Sequence, residues 1–331
     1  MIFSFEVIIS VIMLISLILY ALKGGADYGG GVWDLLAFGK RARKQREVIA
    51  EAISPVWEAN HVWLILVIVI LFTAFPAGFS TISTVLHIPL TLMLIGIVFR
   101  GSAFAFRTYD AKKEESRSWG LVFSVSSLIT PVLLGVILGA IISGNVIVEN
   151  GIVRDGFIKP WFSLFALFVG LFTLALFAYL AAVYLTLETD DEELQDDFRG
   201  RALISAVISG LLAIAVYVLS GSGAPTISRE LSENWWAWGI QVVVFILAVS
   251  AFVALITRRF RLARMCAIGQ VSLIILGWAI AQYPYLVEPN VTIFNAAAPE
   301  STLKLLLATL VLGGFLLLPS FYYLLRVFRK L

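Results

Sequence analysis

The sequence contains few charged residues and almost no cysteine. Only 14% of its 331 residues are charged, whereas roughly a quarter are charged in ordinary soluble proteins. Hydrophobic residues make up 60% of the chain, and the mean hydropathy is +0.96. The single cysteine, Cys266, excludes a disulfide framework and a multi-cysteine metal site. A net charge of +2 gives no support for nucleic-acid binding, so the composition indicates a polytopic membrane protein.

Nine apolar runs reach the roughly 20 residues that a helix needs to cross a bilayer. None alternates as a barrel strand does, so we predict an all-α integral membrane fold. The first run has no basic segment before it and no small-residue cleavage site, and we expect it to be a retained helix. The runs are Ile2 to Leu22, Pro55 to Pro76, Gly78 to Phe106, Trp119 to Ser143, Trp161 to Leu187, Leu203 to Ser220, Trp235 to Ile256, Ala263 to Leu286 and Leu303 to Phe328. Pro89, Pro131 and Pro319 lie inside runs and predict kinks.

We expect the whole chain, residues 1–331, to form a single membrane domain. Residues 1–187 hold the first five helices, residues 188–202 form an acidic cytoplasmic linker, and residues 203–331 hold the last four helices. Lysine and arginine set the orientation because cytoplasmic loops carry their excess. With the N-terminus outside, 19 of the 24 basic residues fall on the cytoplasmic side and four on the outer side. The prediction is therefore an external N-terminus and a cytoplasmic C-terminus.

Ionisable residues collect near the cytoplasmic ends of the first three runs. Glu58 and His61 open the second run, three residues apart and therefore neighbours on a helix surface. Arg100 lies seven residues before Arg107, about 10 Å deeper in the membrane at ~1.5 Å per residue. Such groups face a protein interior or a water-filled path by default, and an arginine favours the ionised form of a nearby carboxylate. The alternative, polar residues in the headgroup region beside the interfacial Trp57 and Trp63, stays open.

Five glycines surround Asp27 in the eight residues from Gly24 to Gly31. Glycine permits a positive φ and a close approach of another helix. We expect a tight turn here at the cytoplasmic boundary, with Asp27 capping a helix that begins near Trp33 or bonded to nearby backbone N–H groups.

Several motifs carry a family resemblance that covers essentially the whole chain. The glycine-rich segment resembles the first motif of subunit II of cytochrome bd-type quinol oxidases. The run Pro55-x-Trp57-Glu58-x-Asn60-x-Val62-Trp63 is similar to the second motif, and Phe99-Arg100-Gly101-x-Ala103-Phe104-x-Phe106-Arg107 is similar to the third. Further matches are Leu187-Glu188-Thr189, Glu193-Leu194, Tyr283-Pro284-Tyr285, Ile293-Phe294-Asn295-Ala296-Ala297, Ser301-Thr302-Leu303, Pro319 and Tyr323.

The resemblance implies two four-helix bundles plus one peripheral helix, paired with a haem-bearing subunit I. Subunit I would hold haems b and d and the quinol-oxidising loop. This chain would bind no haem or metal alone, and a bound quinone or lipid and small accessory subunits stay open. The complex would oxidise quinol and reduce oxygen to water in the plasma membrane of a bacterium or archaeon.

The candidates for a cytoplasmic proton path are Glu58, His61, Asp27 and Arg100. Trp57, Asn60, Trp63 and Arg107 are candidates for structural or subunit contacts. At three positions that are often acidic in the family, this chain has Gly24, His61 and Ala105. Histidine relays protons and titrates near neutral pH, so His61 is a candidate replacement for an acid.

Three alternatives remain at this stage. A bis-histidine haem needs two histidines at one depth, but the only two, His61 and His87, are predicted toward opposite membrane faces. A free-standing proton-coupled transporter would explain a charged residue within the membrane, yet no inverted repeat is visible. A structural partner that stabilises subunit I without moving protons is the third.

Overall fold

The computed structural model describes residues 4–53, 57–109, 113–146, 148–149, 152–153 and 157–328. Twelve helices and two short hairpins account for most of this part of the chain. The helices are α1 (Phe5–Leu35), α2 (Ala42–Ile53), α3 (Trp57–Ala74), α4 (Pro76–Val85), α5 (His87–Tyr109), α6 (Lys113–Ile142), α7 (Leu164–Leu185), α8 (Glu192–Gly223), α9 (Pro225–Glu233), α10 (Trp235–Ile256), α11 (Phe260–Gln282) and α12 (Glu300–Phe328). The antiparallel hairpins pair β1 (Val148–Glu149) with β2 (Ile152–Val153), and β3 (Tyr285–Val287) with β4 (Val291–Thr292).

Nine helices in the described ranges are long and apolar enough to cross a membrane, which confirms a multi-pass helical protein. The short helices α2, α4 and α9 join them. We call the side where α1 ends the basic face, because α2, the start of α8 and the α10–α11 connection there are rich in arginine. We call the other side the far face; α4 contacts both hairpins there.

The glycine segment is part of helix α1 and does not form a turn. The helix runs without interruption from Phe5 to Leu35, about 46 Å at ~1.5 Å per residue, so the predicted tight turn at Asp27 is wrong. The glycines serve close packing instead. A Cβ at Gly29 would strike the backbone carbonyl of Phe177 and the side chain of Ala181 on α7, and one at Gly31 would strike Ser127 on α6.

The third apolar run, Gly78 to Phe106, is divided between two helices. Its first part forms α4 on the far face, and the spanning helix α5 begins only at His87. Pro89 therefore lies in the first turn of α5, where proline removes no helical hydrogen bond and need not cause a kink. Pro131 and Pro319 lie inside α6 and α12 as expected.

The connection between the fifth and sixth spanning helices is shorter than the predicted linker over residues 188–202. Helix α8 begins at Glu192, because the Asp191 carboxylate accepts hydrogen bonds from the backbone N–H groups of Glu193 at 3.0 Å and Leu194 at 3.4 Å. Residues 192–202 are therefore the first three turns of α8, and only residues 186–191 separate α7 from α8.

Helix α1 is the central element of the packing. It contacts α3, α6 and α7 extensively, and α2, α11 and α12 at its edges. Residues Gly24 to Asp34, apart from Ala26, are buried by these neighbours. Polar side chains on this half of α1 consequently lie inside the protein.

We predict that Gly29→Ala destabilises the protein, by about 1–3 kcal/mol in the range of overpacked cores, because the added methyl forces α1 away from the Phe177 carbonyl. Thermal unfolding of the assembled, detergent-solubilised complex measures the loss. Gly210→Ala in α8 is the matched control, since a Cβ there meets nothing within 4 Å. Equal stability of the two variants would contradict the packing role.

Candidate functional site

Arg100 lies inside the helix bundle and is only 2% exposed. Its Nε donates a hydrogen bond to Ser127 Oγ at 3.1 Å, and the guanidinium carbon lies 4.6 Å from the centre of the Tyr28 ring and 5.2 Å from that of Phe123. Its Nη2 is buried without a hydrogen-bond partner among the described residues. The charge is thus stabilised mainly by aromatic faces and neighbouring dipoles. The side chain points into the protein interior, as expected from the cost of exposing a charge to lipid.

Asp27 and Asn60 form a second buried polar contact beside it. Asp27 on α1 is 8% exposed and Asn60 on α3 is 3% exposed. Asn60 Nδ2 donates to Asp27 Oδ2 at 2.7 Å, and Tyr28, the next residue after Asp27, has its ring against the Arg100 guanidinium. We call Asp27, Tyr28, Asn60 and Arg100 the buried polar centre. The centre therefore places a carboxylate, an amide, a phenol ring and a guanidinium together inside the helix bundle.

Glu58 and His61 point in different directions. The His61 ring lies 6.0 to 6.3 Å from the rings of Tyr20, Tyr28 and Trp57, against the buried polar centre. Glu58 is exposed on the outer surface of α3. Within the described ranges no hydrogen bond joins the two side chains, although they are three residues apart on the same helix.

The remaining candidates of the second and third motifs pack inside the chain. Trp57 contacts Phe104 at 5.8 Å between ring centres and covers Gly101, thereby joining α3 to α5. Trp63 is buried and lies 5.7 Å from Phe321 on α12. Pro55, the first residue of the second motif, lies outside the described residues.

Asp34 is a site residue that the sequence did not reveal. It is 4% exposed at the basic-face end of α1. Arg107 Nη1 donates to Asp34 Oδ1 and Oδ2 at 3.0 Å each, and Ser124 Oγ donates to Oδ2 at 3.0 Å. This contact ties α1 to α5 and α6. Asp34 lies seven residues after Asp27, a spacing of two helical turns that places both on one helix face. The sequence indicates this shared face only if the glycine segment is helical.

A more exposed network of charges covers the basic face. Arg41 forms two hydrogen bonds with the Asp197 carboxylate, at 2.7 and 2.8 Å, and contacts Glu193 at 3.1 Å. These carboxylates raise the pKa of the Arg41 guanidinium above its ordinary value, so it is charged at every physiological pH. Gln45 joins Asp197 to the buried Arg201. The network fixes α2 against α8.

Glu288 is the buried carboxyl group of the far face. It lies between β3 and β4, is 1% exposed, and its backbone N–H donates to the Ile141 carbonyl at 3.1 Å. Burial raises the pKa of Glu288, which favours the neutral acid. His87 is also on this face, with Nδ1 2.9 Å from the Thr84 carbonyl oxygen and its ring against Phe157. Of the residues described, no group of three or more His, Cys, Asp and Glu is placed to hold a metal ion.

Comparison with known proteins shows to which family this architecture belongs. The family model described as cytochrome bd terminal oxidase subunit II matches residues 5–328. The chain belongs to this family. Among bd oxidase structures, that of the enzyme from Geobacillus thermodenitrificans contains a chain similar to this one with a TM-score of 0.78 and 25% identity, over 98% of this chain and 99% of that one.

Curated relatives agree with the bd oxidase assignment. A Bacillus subtilis protein provisionally named as subunit II of a cytochrome bd menaquinol oxidase is 25% identical over 325 residues, 94% of this chain and 92% of the relative. Subunit 2 of the Escherichia coli K12 cytochrome bd-I ubiquinol oxidase is 26% identical over 213 residues, 62% of this chain and 53% of the relative. This bd oxidase subunit is therefore part of an oxidoreductase complex and a multi-pass plasma-membrane protein, which confirms the resemblance seen in the sequence.

We predict that Arg107→Gln strongly destabilises the complex, because breaking a buried ion pair costs about 3–5 kcal/mol when one charge is left unpaired. The Asp34→Asn/Arg107→Gln double variant should recover part of that loss, since neither charge then remains. Thermal unfolding of the four members of this double-mutant cycle measures the coupling. Arg43→Gln, which removes the exposed Arg43–Glu47 pair at 3.2 Å, is the control and should be nearly neutral. Equal losses in the single and double variants would contradict the pairing.

Proposed function

We propose that the chain is subunit II of a bd-type terminal oxidase that oxidises quinol and reduces oxygen to water. It packs against the haem-bearing subunit I and supplies cytoplasmic protons to it. The observation that carries the proposal is the family match over residues 5–328, with the similar bd oxidase chain covering 98% of this one. The quinone, the haem types of the partner and any accessory subunit are left open by this match.

The proposed orientation has the basic face in the cytoplasm and the N-terminus outside. Support comes from the concentration of arginine and lysine on α2, on the start of α8 and on the α10–α11 connection, as the positive-inside rule requires. The far face, with both hairpins, would then lie outside. On this orientation the buried polar centre lies in the cytoplasmic half of the membrane.

Helix contacts support a proposed arrangement of two four-helix bundles. In the first, α1 packs on α3 and α6, and α5 packs on α6. In the second, α7 packs on α8 and α11, and α10 packs on α11 and α8. The peripheral helix would be α12, which contacts α1 and α3 at their edge.

Glu58 supports a role at the interface with subunit I. It shares one face of α3 with the exposed Ile65 and Phe72, each seven residues from the next. A carboxylate facing lipid at this depth is costly, so this face of α3 is best covered by protein. A proton would then pass around α3, between Glu58 on its exposed side and the buried polar centre on its inner side. His61 and Asn60 lie on that inner side.

The first test is isolation of the complex under mild conditions. If the chain co-purifies with a haem-bearing membrane subunit and the preparation consumes oxygen with quinol, the proposal holds. Recovery of this chain alone, without haem absorbance, would instead favour the transporter.

The proton role predicts a specific response at Glu58. Glu58→Gln should slow oxygen consumption by about 10-fold or more, as expected for loss of a proton-transfer group, while the haem spectrum stays intact. Glu58→Asp should retain much of the rate because the acid survives. The measured quantity is the rate of oxygen uptake with excess quinol over a range of pH. A normal rate in Glu58→Gln would favour the purely structural role of this subunit.

A further inference from the structure

A cavity of about 190 Å³ lies on the basic-face half of the chain. It is enclosed by α1, α2, α3, α7 and α11 and by the connection after α7. Its volume accommodates several waters at ~30 Å³ each. Glu58 does not line it, so the cavity is separate from the exposed face of α3.

The polar side chains that line this cavity range from exposed to fully buried. Glu188 is exposed in the connection after α7, Lys23 and Arg264 are half-buried, and Asp27 and Asn60 are buried. The cavity therefore leads from the water at the basic face to the buried polar centre, with a carboxylate at each end.

The two cationic side chains, Lys23 and Arg264, each lie against an aromatic ring. The Lys23 ammonium lies 4.1 Å from the centre of the Phe321 ring, and the Arg264 guanidinium lies 4.9 Å from the centre of the Tyr184 ring. Apolar cavities of this size stay dry, whereas a cavity with several convergent polar groups holds ordered water. Ionisable groups within a membrane protein mark ion or proton pathways by default.

We infer that this cavity is a water-filled proton-uptake path, entered beside Glu188 and ending at Asp27. The inference rests on the proposed function, because the oxygen chemistry of the complex consumes the protons. Each step moves one proton: from the Glu188 carboxyl group into the water chain, from the water chain to the Asp27 carboxylate, and from bulk water back to Glu188. No other bond changes and no electron is transferred. Asn60, which donates to Asp27 Oδ2 at 2.7 Å, is a positioning residue that holds this carboxylate in the wall of the cavity.

The test uses the complete oxidase complex and follows both oxygen consumption and proton uptake after oxygen is mixed with the reduced enzyme. Glu188→Gln should slow proton uptake at least about fivefold, less than the ~10²-fold contribution of a positioned proton-transfer group because water still enters the cavity. Glu188→Asp should restore most of the rate. Ala52→Leu on α2, which lines the cavity, should slow uptake comparably by displacing water.

Two matched controls accompany these variants. Asp190→Asn removes an exposed carboxylate two residues from Glu188, and Ala50→Leu enlarges a half-buried alanine on α2; neither residue lines the cavity. Both should show wild-type proton uptake. The haem spectrum of each preparation reports assembly, and Glu188→Gln decides alone if Ala52→Leu fails to assemble, because Glu188 is exposed.

The outcomes separate this inference from the proposed function. Wild-type uptake in both Glu188→Gln and Ala52→Leu would overturn the path, and so would slowing in Glu188→Gln alone when Ala52→Leu assembles normally. Equal slowing in the controls would also overturn it. A wild-type complex that consumes no oxygen with quinol would instead contradict the proposed function.

Discussion

Close contact between the glycine face of α1 and its neighbours is the constraint on which the rest of the structure depends. Gly29 lies against the backbone of α7, and Gly31 lies against Ser127 of α6. A β-carbon at either position would separate the helices. Because α1 is packed this tightly over its second half, Asp27 and Asp34 are carried into the interior, and their partners on α3, α5 and α6 are brought within hydrogen-bond distance.

Burial of these charges explains why each has a defined partner. A carboxylate or guanidinium removed from water is tolerated only when dipoles or opposite charges replace its hydration. Arg107 and Ser124 do this for Asp34, and Asn60 does it for Asp27. Arg100 depends on Ser127 and two aromatic faces, a weaker replacement that suits a functional centre better than a structural ion pair.

The sequence was sufficient for the membrane class, for the nine helices of the described ranges that can cross a membrane, and for the interior position of Arg100. Hydropathy and the cost of a buried charge are properties of short segments. The sequence was insufficient for the glycine segment, where a turn and a closely packed helix have the same composition and only the approach of α7 decides. That error concealed Asp34, which shares a helix face with Asp27 only if α1 is continuous. The separation of Glu58 from His61 also escaped prediction, since it depends on how α3 is rotated against Tyr20 and Tyr28.

The central claim is that the buried polar centre takes part in proton supply to the oxidase. Asp27→Asn tests it most directly, because the amide keeps the size of the side chain and a possible partner for Asn60 but cannot ionise. The measurement is proton uptake by the reduced complex after mixing with oxygen, recorded with a pH-indicating dye. The account predicts an intact haem spectrum and a proton-uptake phase slowed by about 10-fold or more. An uptake phase at the wild-type rate in the assembled Asp27→Asn complex would contradict it.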